Sequence, residues 1–557
     1  MAQKFSLSPE LYCKATDPTD RLLMEQMREQ DVAPVPVDRA LPRFTMVVGH
    51  SPFTMPRGWE YYLTTPFEGP SYITTVLHNA GFPVRIVDVR YALDPVGQAF
   101  REIMEGTDVL CLATWEDNFP FMRDLISRVK KAAPDMPIVA GGSLVTSLPH
   151  IFMEHTELDI AVVSEGELTF LELMATYAKG GWTDKELSAM RGIWYRNTEG
   201  ATVKNPPRGQ MPTLDFLPRM RLELWPQARG PKGLQPQIIT SFSRGCKMDC
   251  SFCFRTTPQV ACKSPERFDR EMDWLQSRYG INFMFFADLT FSAEAPQTRE
   301  ICEVLEGRDM RFTCMTRCAD VDKERLDAMK SAGCDVILFG VESLGASALK
   351  EARKPTTENI SIRAMHRSMD AGIRFGTLFI VGLPGETEES LDHMCNFAEE
   401  YHHIVRVKYL SAMPGTSVYQ NCLADGTIRD EVSHLEWLST EQALHEDEFL
   451  NLAKLPEQVY RDAYKRIYDC YQPGPVMNFD HYPEHFEYFQ PNTDDGHPNS
   501  VNYASEGWRK DWSSAGAFLA PGSDQYTLDK VGAPGMADVG SKTMDCGAKT
   551  MVPVSQR

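Results

Sequence analysis

Ser243-Arg-Gly-Cys-Lys-Met-Asp-Cys-Ser-Phe-Cys253 decides how the rest of the chain is read. Cys246, Cys250 and Cys253 stand at Cys-x3-Cys-x2-Cys spacing on one short loop. Three thiolates so placed suit three corners of a cubane [4Fe–4S] cluster, which ordinarily takes four cysteines. The fourth iron is then open to a ligand that is not protein. Zinc takes thiolates too, but its sites pair Cys-x2-Cys or Cys/His sets, and no partner pair follows at finger spacing. Phe252, just before the last cysteine, offers an aromatic face on which a base can stack.

Working outward, the chain has 557 residues, 43% of them hydrophobic, and a formal net charge of −20. That length suggests several domains. The acidic balance disfavours a nucleic-acid partner, because phosphate backbones are repelled. No apolar run is long enough for a membrane-spanning helix. The opening Met-Ala-Gln-Lys-Phe lacks a signal-peptide core, so a cytoplasmic protein is expected. Fourteen cysteines fit a reducing compartment. Most lie singly in apolar runs and read as small buried hydrophobes. Cys262 alone cannot make a second metal site.

Residues 1–40 form a polar, weakly helical lead-in. Between 41 and 180, five short apolar runs alternate with amphipathic segments. The runs begin at Phe44, Val84, Val109, Pro137 and Ile160. Continuous apolar strands are buried on both faces, which predicts a parallel, doubly wound sheet. Helices are expected near 70–80, 121–133, 148–155 and 167–179. The ligand of such a sheet lies beyond the strand carboxyl ends, here Gly141-Gly142-Ser143 and Ser164-Glu165-Gly166-Glu167. Residues 181–235 read as a proline-broken linker carrying one hairpin, with strands around Ile193 and Val203.

From 236 to 430 the alternation resumes with longer repeats. Six strands, beginning at Ile238, Phe283, Phe312, Val336, Phe375 and Val405, predict a partial (β/α)6 barrel. The cysteine loop follows its first strand, at the carboxyl-end mouth where such barrels carry their chemistry. Asp288, Arg317, Glu342-Ser343 and Gly382-Leu-Pro-Gly-Glu386 end successive strands and converge on that mouth.

Taken together, residues 40–430 resemble the radical S-adenosylmethionine (radical SAM) superfamily, in the subfamily with an N-terminal cobalamin-binding domain. The resemblance implies that Cys246, Cys250 and Cys253 hold the cluster and that its open iron chelates S-adenosylmethionine. Reduction then releases a 5′-deoxyadenosyl radical. It further implies that Phe252, Asp288, Arg317, Glu342, Ser343 and Gly382 surround S-adenosylmethionine, and that Gly141, Gly142, Ser143 and Glu165 line cobalamin. One departure matters: the Asp-x-His-x-x-Gly motif, whose histidine ligates cobalt in many such domains, is absent. His50 stands where the first strand ends, and a lone histidine is a weak metal signal.

The reading of the whole chain is α/β: a doubly wound cobalamin-binding-like domain, then the partial radical SAM barrel, then a helical and irregular region. That last region divides into helical 431–490 and a loosely ordered tail, 491–557. The histidines in Asn478–Phe489 match no recognised ligand set. The resemblance implies a radical methyltransferase acting on an unactivated carbon of a small biosynthetic intermediate. An oxidoreductase or cyclase using the radical directly is the alternative, and a cluster- or cobalamin-binding sensor is a third reading that lacks an output module. The partners implied are a small-molecule substrate and an electron donor of flavodoxin or ferredoxin type. No catalytic acid or base is named by the sequence.

Overall fold

The computed structural model describes residues 17–49, 65–90, 92, 94–229, 234, 237–255, 257, 259–401, 404–439 and 449–470. His50, Cys13, Cys546, the 478–489 segment and the 491–557 tail lie outside the described residues.

After a first helix, α1 (Pro18–Val32), the N-terminal unit runs β1 (Phe44–Val48), α2 (Glu68–Asn79), β2 (Val84–Asp88), α3 (Pro95–Met104), β3 (Val109–Thr114) and α4 (Phe119–Ala132). It continues through β4 (Ile138–Gly142), α5 (Ser143–Ser147), α6 (Pro149–His155), β5 (Ile160–Val162), α7 (Glu167–Tyr177) and α8 (Asp184–Ala189). The strands order as β2-β1-β3-β4-β5, all parallel, as expected of apolar runs buried on both faces. The sheet has seven strands rather than five. The hairpin β6 (Ile193–Arg196) and β7 (Thr202–Lys204), which the sequence reading assigned to the linker, pairs antiparallel onto β5. Its alternation is the cause: Ile193 and Tyr195 are buried in the core on one face, while Trp194 and Arg196, partly exposed, lie on the other, Trp194 against the second core and Arg196 on the Met153 and Thr156 carbonyls. Helix α3 was also missed, although Asp94 caps it by accepting from Gly97 N–H and Pro95 opens its first turn.

The second unit is β8 (Gln237–Thr240), the short pair β9 (Ser243–Arg244) and β10 (Ala261–Cys262), α9 (Pro265–Tyr279), β11 (Phe283–Phe286), α10 (Ala295–Leu305), β12 (Arg311–Thr316) and α11 (Lys323–Ser331). Then come β13 (Cys334–Glu342), α12 (Ala346–Glu351), α13 (Glu358–Asp370), β14 (Arg374–Val381), α14 (Glu388–Glu400) and β15 (Ile404–Tyr409). Six strands lie in sequence order and pair parallel, the predicted partial barrel. Its outer face carries Phe312, Cys314, Ile337, Phe339, Phe375, Phe379, Val405 and Val407 into one core with the surrounding helices.

Three helices follow: α15 (Ser417–Ala424), α16 (Glu431–Leu438) and α17 (Glu457–Asp469). Helix α17 lies over the open edge of the sheet, with Tyr409 of β15 stacked between Phe449 at 4.7 Å and Tyr464 at 4.3 Å. Helices α15 and α16 pack on the N-terminal unit in a shared core that includes Met122, Leu125, Leu148, Phe152, Tyr419 and Leu435. Thus the barrel mouth is held against the first sheet.

A buried ion cluster reinforces the join. Glu271 of α9 meets Lys263 at 2.8 Å and Arg267 at 3.2 Å, and accepts from the Tyr72 hydroxyl of α2 at 3.3 Å. Lys263 and Glu271 are both fully buried. Removing one partner of such a set leaves charge uncompensated in a medium of low polarity, typically at a cost of about 3–5 kcal/mol. Glu271→Ala should therefore lower the unfolding free energy read from urea denaturation by about 3–5 kcal/mol, while Glu271→Gln, which retains an acceptor, should lose less.

Candidate active site between the two sheets

The carboxyl ends of both parallel sheets face one another. Four contacts define the arrangement. Ser241, beyond β8, donates to Glu68 at the start of α2. Arg244 of β9 meets Glu167 at 2.8 Å and Glu165 at 3.6 Å beyond β5. Lys408 of β15 feels the charge of Asp117, beyond β3. A Cβ on Gly415, after β15, would meet Phe254 of the cysteine loop and Ser147 of α5. Lys408 is exposed to solvent, yet surrounding protein desolvates its ammonium and pulls its pKa below the lysine range. Lys408 thus lies close to the first unit, whose Asp117 opposes the shift. Glu116, partly exposed, is likewise desolvated and pushed upward, with a hydrogen bond to Ser143 opposing the shift.

The cysteine loop is braced from several sides. Cys246 N–H donates to Thr257 C=O at 3.1 Å, and Arg255 donates to Cys246 C=O at 2.9 Å. Ser251 N–H donates to Ala352 C=O and its own C=O accepts from Val418 N–H, each at 2.9 Å. Arg353 donates to Asp249 C=O at 2.9 Å. Gly245 enters the loop at φ +99°, and a Cβ there would lie 2.0 Å from Gln259 C=O. Only glycine fits that turn.

Cys246 and Cys250 are partly exposed and Cys253 is exposed, and all three are free thiols. Burial, with Cys250, Glu342 and Cys246 adding to it, pushes the Cys253 thiol up to about 12. Burial also raises Cys250, opposed by the Lys354 ammonium. Recessed thiols of this kind ionise when a metal group binds, since its positive charge inverts the local preference. Among the described residues no three His, Cys, Asp or Glu side chains converge as ligands of a single ion. Three thiolates on one loop fit a cluster in which each takes a separate iron.

Around the loop the strand-end residues take distinct places. Arg317 forms a bidentate pair with Asp320, both contacts at 2.6 Å, and lies within the field of Cys246 and Cys250. Glu342 has φ +65° at a bulge between β13 and β14, and receives Lys354 Nζ at 2.8 Å. A non-glycine residue in that region stores strain of about 1–3 kcal/mol, a feature common at functional sites. Ser343 is buried and caps Gly345 N–H at 3.1 Å. Gly382 N–H donates to Glu386 at 2.7 Å, a buried carboxyl whose pKa burial raises to about 8.

Asp288 points at the base of the cysteine loop. It accepts from Ser243 N–H at 2.6 Å, from the Ser243 hydroxyl and from Phe242 N–H. Phe252 is half-buried against the shared core. In the first sheet, Gly142 is needed at φ +118°, where a Cβ would lie 2.3 Å from Thr114 C=O. The close approach there is by the neighbouring strand, not only by a ligand as the sequence reading had it. A Cβ on Gly141 would make only ordinary contacts. Glu165 accepts from Met211 N–H at 2.8 Å besides facing Arg244. Sequence reasoning missed Arg244, Arg255, Arg353, Lys354, Glu116 and Lys408. Arg244, immediately before Gly-Cys, was the one of these that proximity could have flagged.

Comparison with known proteins agrees with this geometry. The model for the Radical SAM superfamily matches residues 240–398, and that for the B12 binding domain matches residues 63–174. An uncharacterized methyltransferase of Pyrococcus horikoshii is 28% identical over 347 residues, covering 59% of this chain and 72% of that protein. The anaerobic magnesium-protoporphyrin IX monomethyl ester cyclase of Rubrivivax gelatinosus is 27% identical over 281 residues, 49% of this chain and 50% of that one. The solved structure of the radical S-adenosylmethionine methyltransferase TsrM from Kitasatospora setae, with tryptophan and a SAM analogue bound, superposes with a TM-score of 0.60. It is 16% identical and covers 78% of this chain and 90% of that chain, a likeness of fold. The chain carries a radical SAM domain, with a B12-binding domain ahead of it. It is an enzyme whose cofactors are those of its two domains: a [4Fe–4S] cluster, S-adenosylmethionine and cobalamin. Among the described residues no helix is long and apolar enough to cross a membrane.

Two outcomes follow from the loop. Gly245→Ala should lower the iron and sulfide content after anaerobic reconstitution, because its turn cannot close without moving residue 259. Burial raises the Asp288 pKa from 3.8 to about 7, the Ser243 and Phe242 donors opposing. A carboxyl that binds its proton more tightly when folded loses its contribution as pH rises through the folded value. Melting temperature should therefore fall less in Asp288→Asn than in the parent as pH rises toward about 7.

Proposed function

We propose that the chain is a cobalamin-dependent radical SAM methyltransferase acting on an unactivated carbon of a small biosynthetic intermediate. The observation that carries the reading is adjacency: Arg244 meets Glu165 and Glu167, and a Cβ on Gly415 would meet both Phe254 and Ser147, so the cysteine loop sits beside the strand ends of the B12-binding domain and a radical formed at one can act beside the other. Similarity to proteins described as methyltransferases supports it further. The bound cofactors supply radical generation and a transferable methyl group, while the protein positions the reacting atoms and excludes water.

In this reading Cys246, Cys250 and Cys253 hold the cluster. Lys354 and Arg317 lend positive charge beside the thiolates, and the Lys354 pair with Glu342 fixes that carboxylate at the barrel mouth. Glu342, Ser343 and the Gly382 turn flank S-adenosylmethionine, with Phe252 available for stacking. Asp288 acts one step removed, by holding Ser243 and thus the start of the loop. Gly141, Ser143 and Glu116 border cobalamin, whereas Gly142 and Glu165 shape the crevice through Thr114 and Arg244. An electron donor of flavodoxin or ferredoxin type delivers reducing equivalents, and every described cysteine being a free thiol suits a reducing, cytoplasmic setting.

Direct use of the radical, as in an oxidoreductase or cyclase, is the second reading, favoured by similarity to the Rubrivivax gelatinosus cyclase. The products separate the two. Replacing all three cysteines by alanine should abolish iron and sulfide binding; a variant that retains the parent's content would refute the ligand assignment. Clustered, dithionite-reduced protein should convert S-adenosylmethionine slowly to 5′-deoxyadenosine without substrate. With substrate, S-adenosylhomocysteine should appear alongside it, whereas 5′-deoxyadenosine alone would select the second reading.

A further inference from the structure

We infer that Arg244 is a positioning residue that sets the separation between the cluster loop and the crevice of the B12-binding domain. This rests on the functional reading above and adds to it a residue that fixes the distance across which the two cofactors work.

Arg244 stands two residues before Cys246, and its backbone is held in the barrel by antiparallel pairing with Ala261. Its guanidinium crosses to the other unit. One nitrogen meets Glu167 at 2.8 Å, the second faces Glu165 at 3.6 Å, and the cation lies 5.4 Å from the Tyr72 ring centre. Glu165 is itself fixed by Met211 N–H, and Glu68 by the Ser241 hydroxyl. So one side chain joins the residue run that ends in the first cluster cysteine to the loop leaving β5.

The chemistry makes this joint directional. Glu68 and Glu165 are both desolvated and raised, with Arg244 the largest opposing influence on each. Three carboxylates thus share one guanidinium, with Lys263 the next cation for Glu68. Apolar packing elsewhere between the units tolerates sliding, because it has no preferred direction. A planar guanidinium with fixed donor directions does not, and lysine cannot reproduce both contacts. Without the cation the carboxylates of the first unit lose their partner on the barrel side, and the loop loses its register against β5.

The test uses the full chain reconstituted with iron, sulfide and cobalamin, then reduced so that the cluster and cob(II)alamin each carry an unpaired spin. Pulsed paramagnetic resonance reads the coupling between them. The parent should give one defined coupling. Arg244→Gln and Glu167→Gln should each spread or weaken it, and Arg244→Lys, which keeps the charge, should stay closer to the parent. In cofactor-free protein, hydrogen exchange across amides 243–257 should speed up in Arg244→Gln, a readout independent of loading. Couplings in both Gln variants equal to the parent's would overturn the inference, even with lowered melting temperatures, since that pattern marks a role in stability alone. A parent that takes up iron and sulfide but no cobalt would overturn the cobalamin reading, and this inference with it.

Discussion

Every strand of a parallel sheet ends on the same edge, and that constraint governs this molecule twice over. In the first sheet the loops after β1, β3, β4 and β5 share one edge, and in the barrel the loops after all six strands share another. The helices cover the faces and leave the edges free. Pressing the two edges together concentrates the reactive loops of both units in one place, which neither sheet achieves alone. The pressing is accomplished by helices α15 and α16, whose apolar faces rest on α4 and α6, and by polar contacts at the rim of the join. Arg123 with Glu436 and His150 with Glu431 are rim contacts of this kind. Being partly exposed, they contribute little to stability, so the apolar core does most of the holding.

The cysteine loop illustrates how rigidity is built without regular structure. Its backbone groups are satisfied by partners from three segments: Arg255 with Thr257, Ala352 with Arg353, and Val418. A loop so cross-linked presents its thiols in place before any metal arrives, which lessens the ordering required on binding. The unfavourable side is electrostatic. The Cys250 and Cys253 thiols resist ionisation, and the cations nearest the loop, Lys354 and Arg317, are each already engaged by a carboxylate.

Much of this was legible in the sequence because its signals are local. Cysteine spacing is a property of eight consecutive residues, and continuous apolar runs report strands buried on both faces, so the barrel's six strands and most helices could be located. The hairpin at 193–204 was recognised as a hairpin, yet its attachment to β5 was not, since pairing partners separated by thirty or so residues leave no mark in either one. The same limit applies to the site. Asp288 was seen as a polar strand end, but which way its carboxyl points depends on Ser243, fixed only when β8 and β11 come into register. Gly142 read as room for a ligand because nothing in its own neighbourhood reveals that Thr114 already fills that room. Lys408 and Glu116 are ordinary charged residues until two sheets close over them.

Helix α17 has a consequence for the order in which the chain matures. Bare strand edges are sticky, since their unpaired amides and carbonyls accept any extended segment. Strand β15 is complete at Tyr409, while the helix that covers it begins at Glu457, about fifty residues later. At synthesis rates of ~5–20 residues per second, the barrel edge stands open for roughly two to ten seconds on each nascent chain. Tyr409 is sandwiched only once Phe449 and Tyr464 have both been made. The last barrel strand is thus the one whose packing waits longest on chain still to be made.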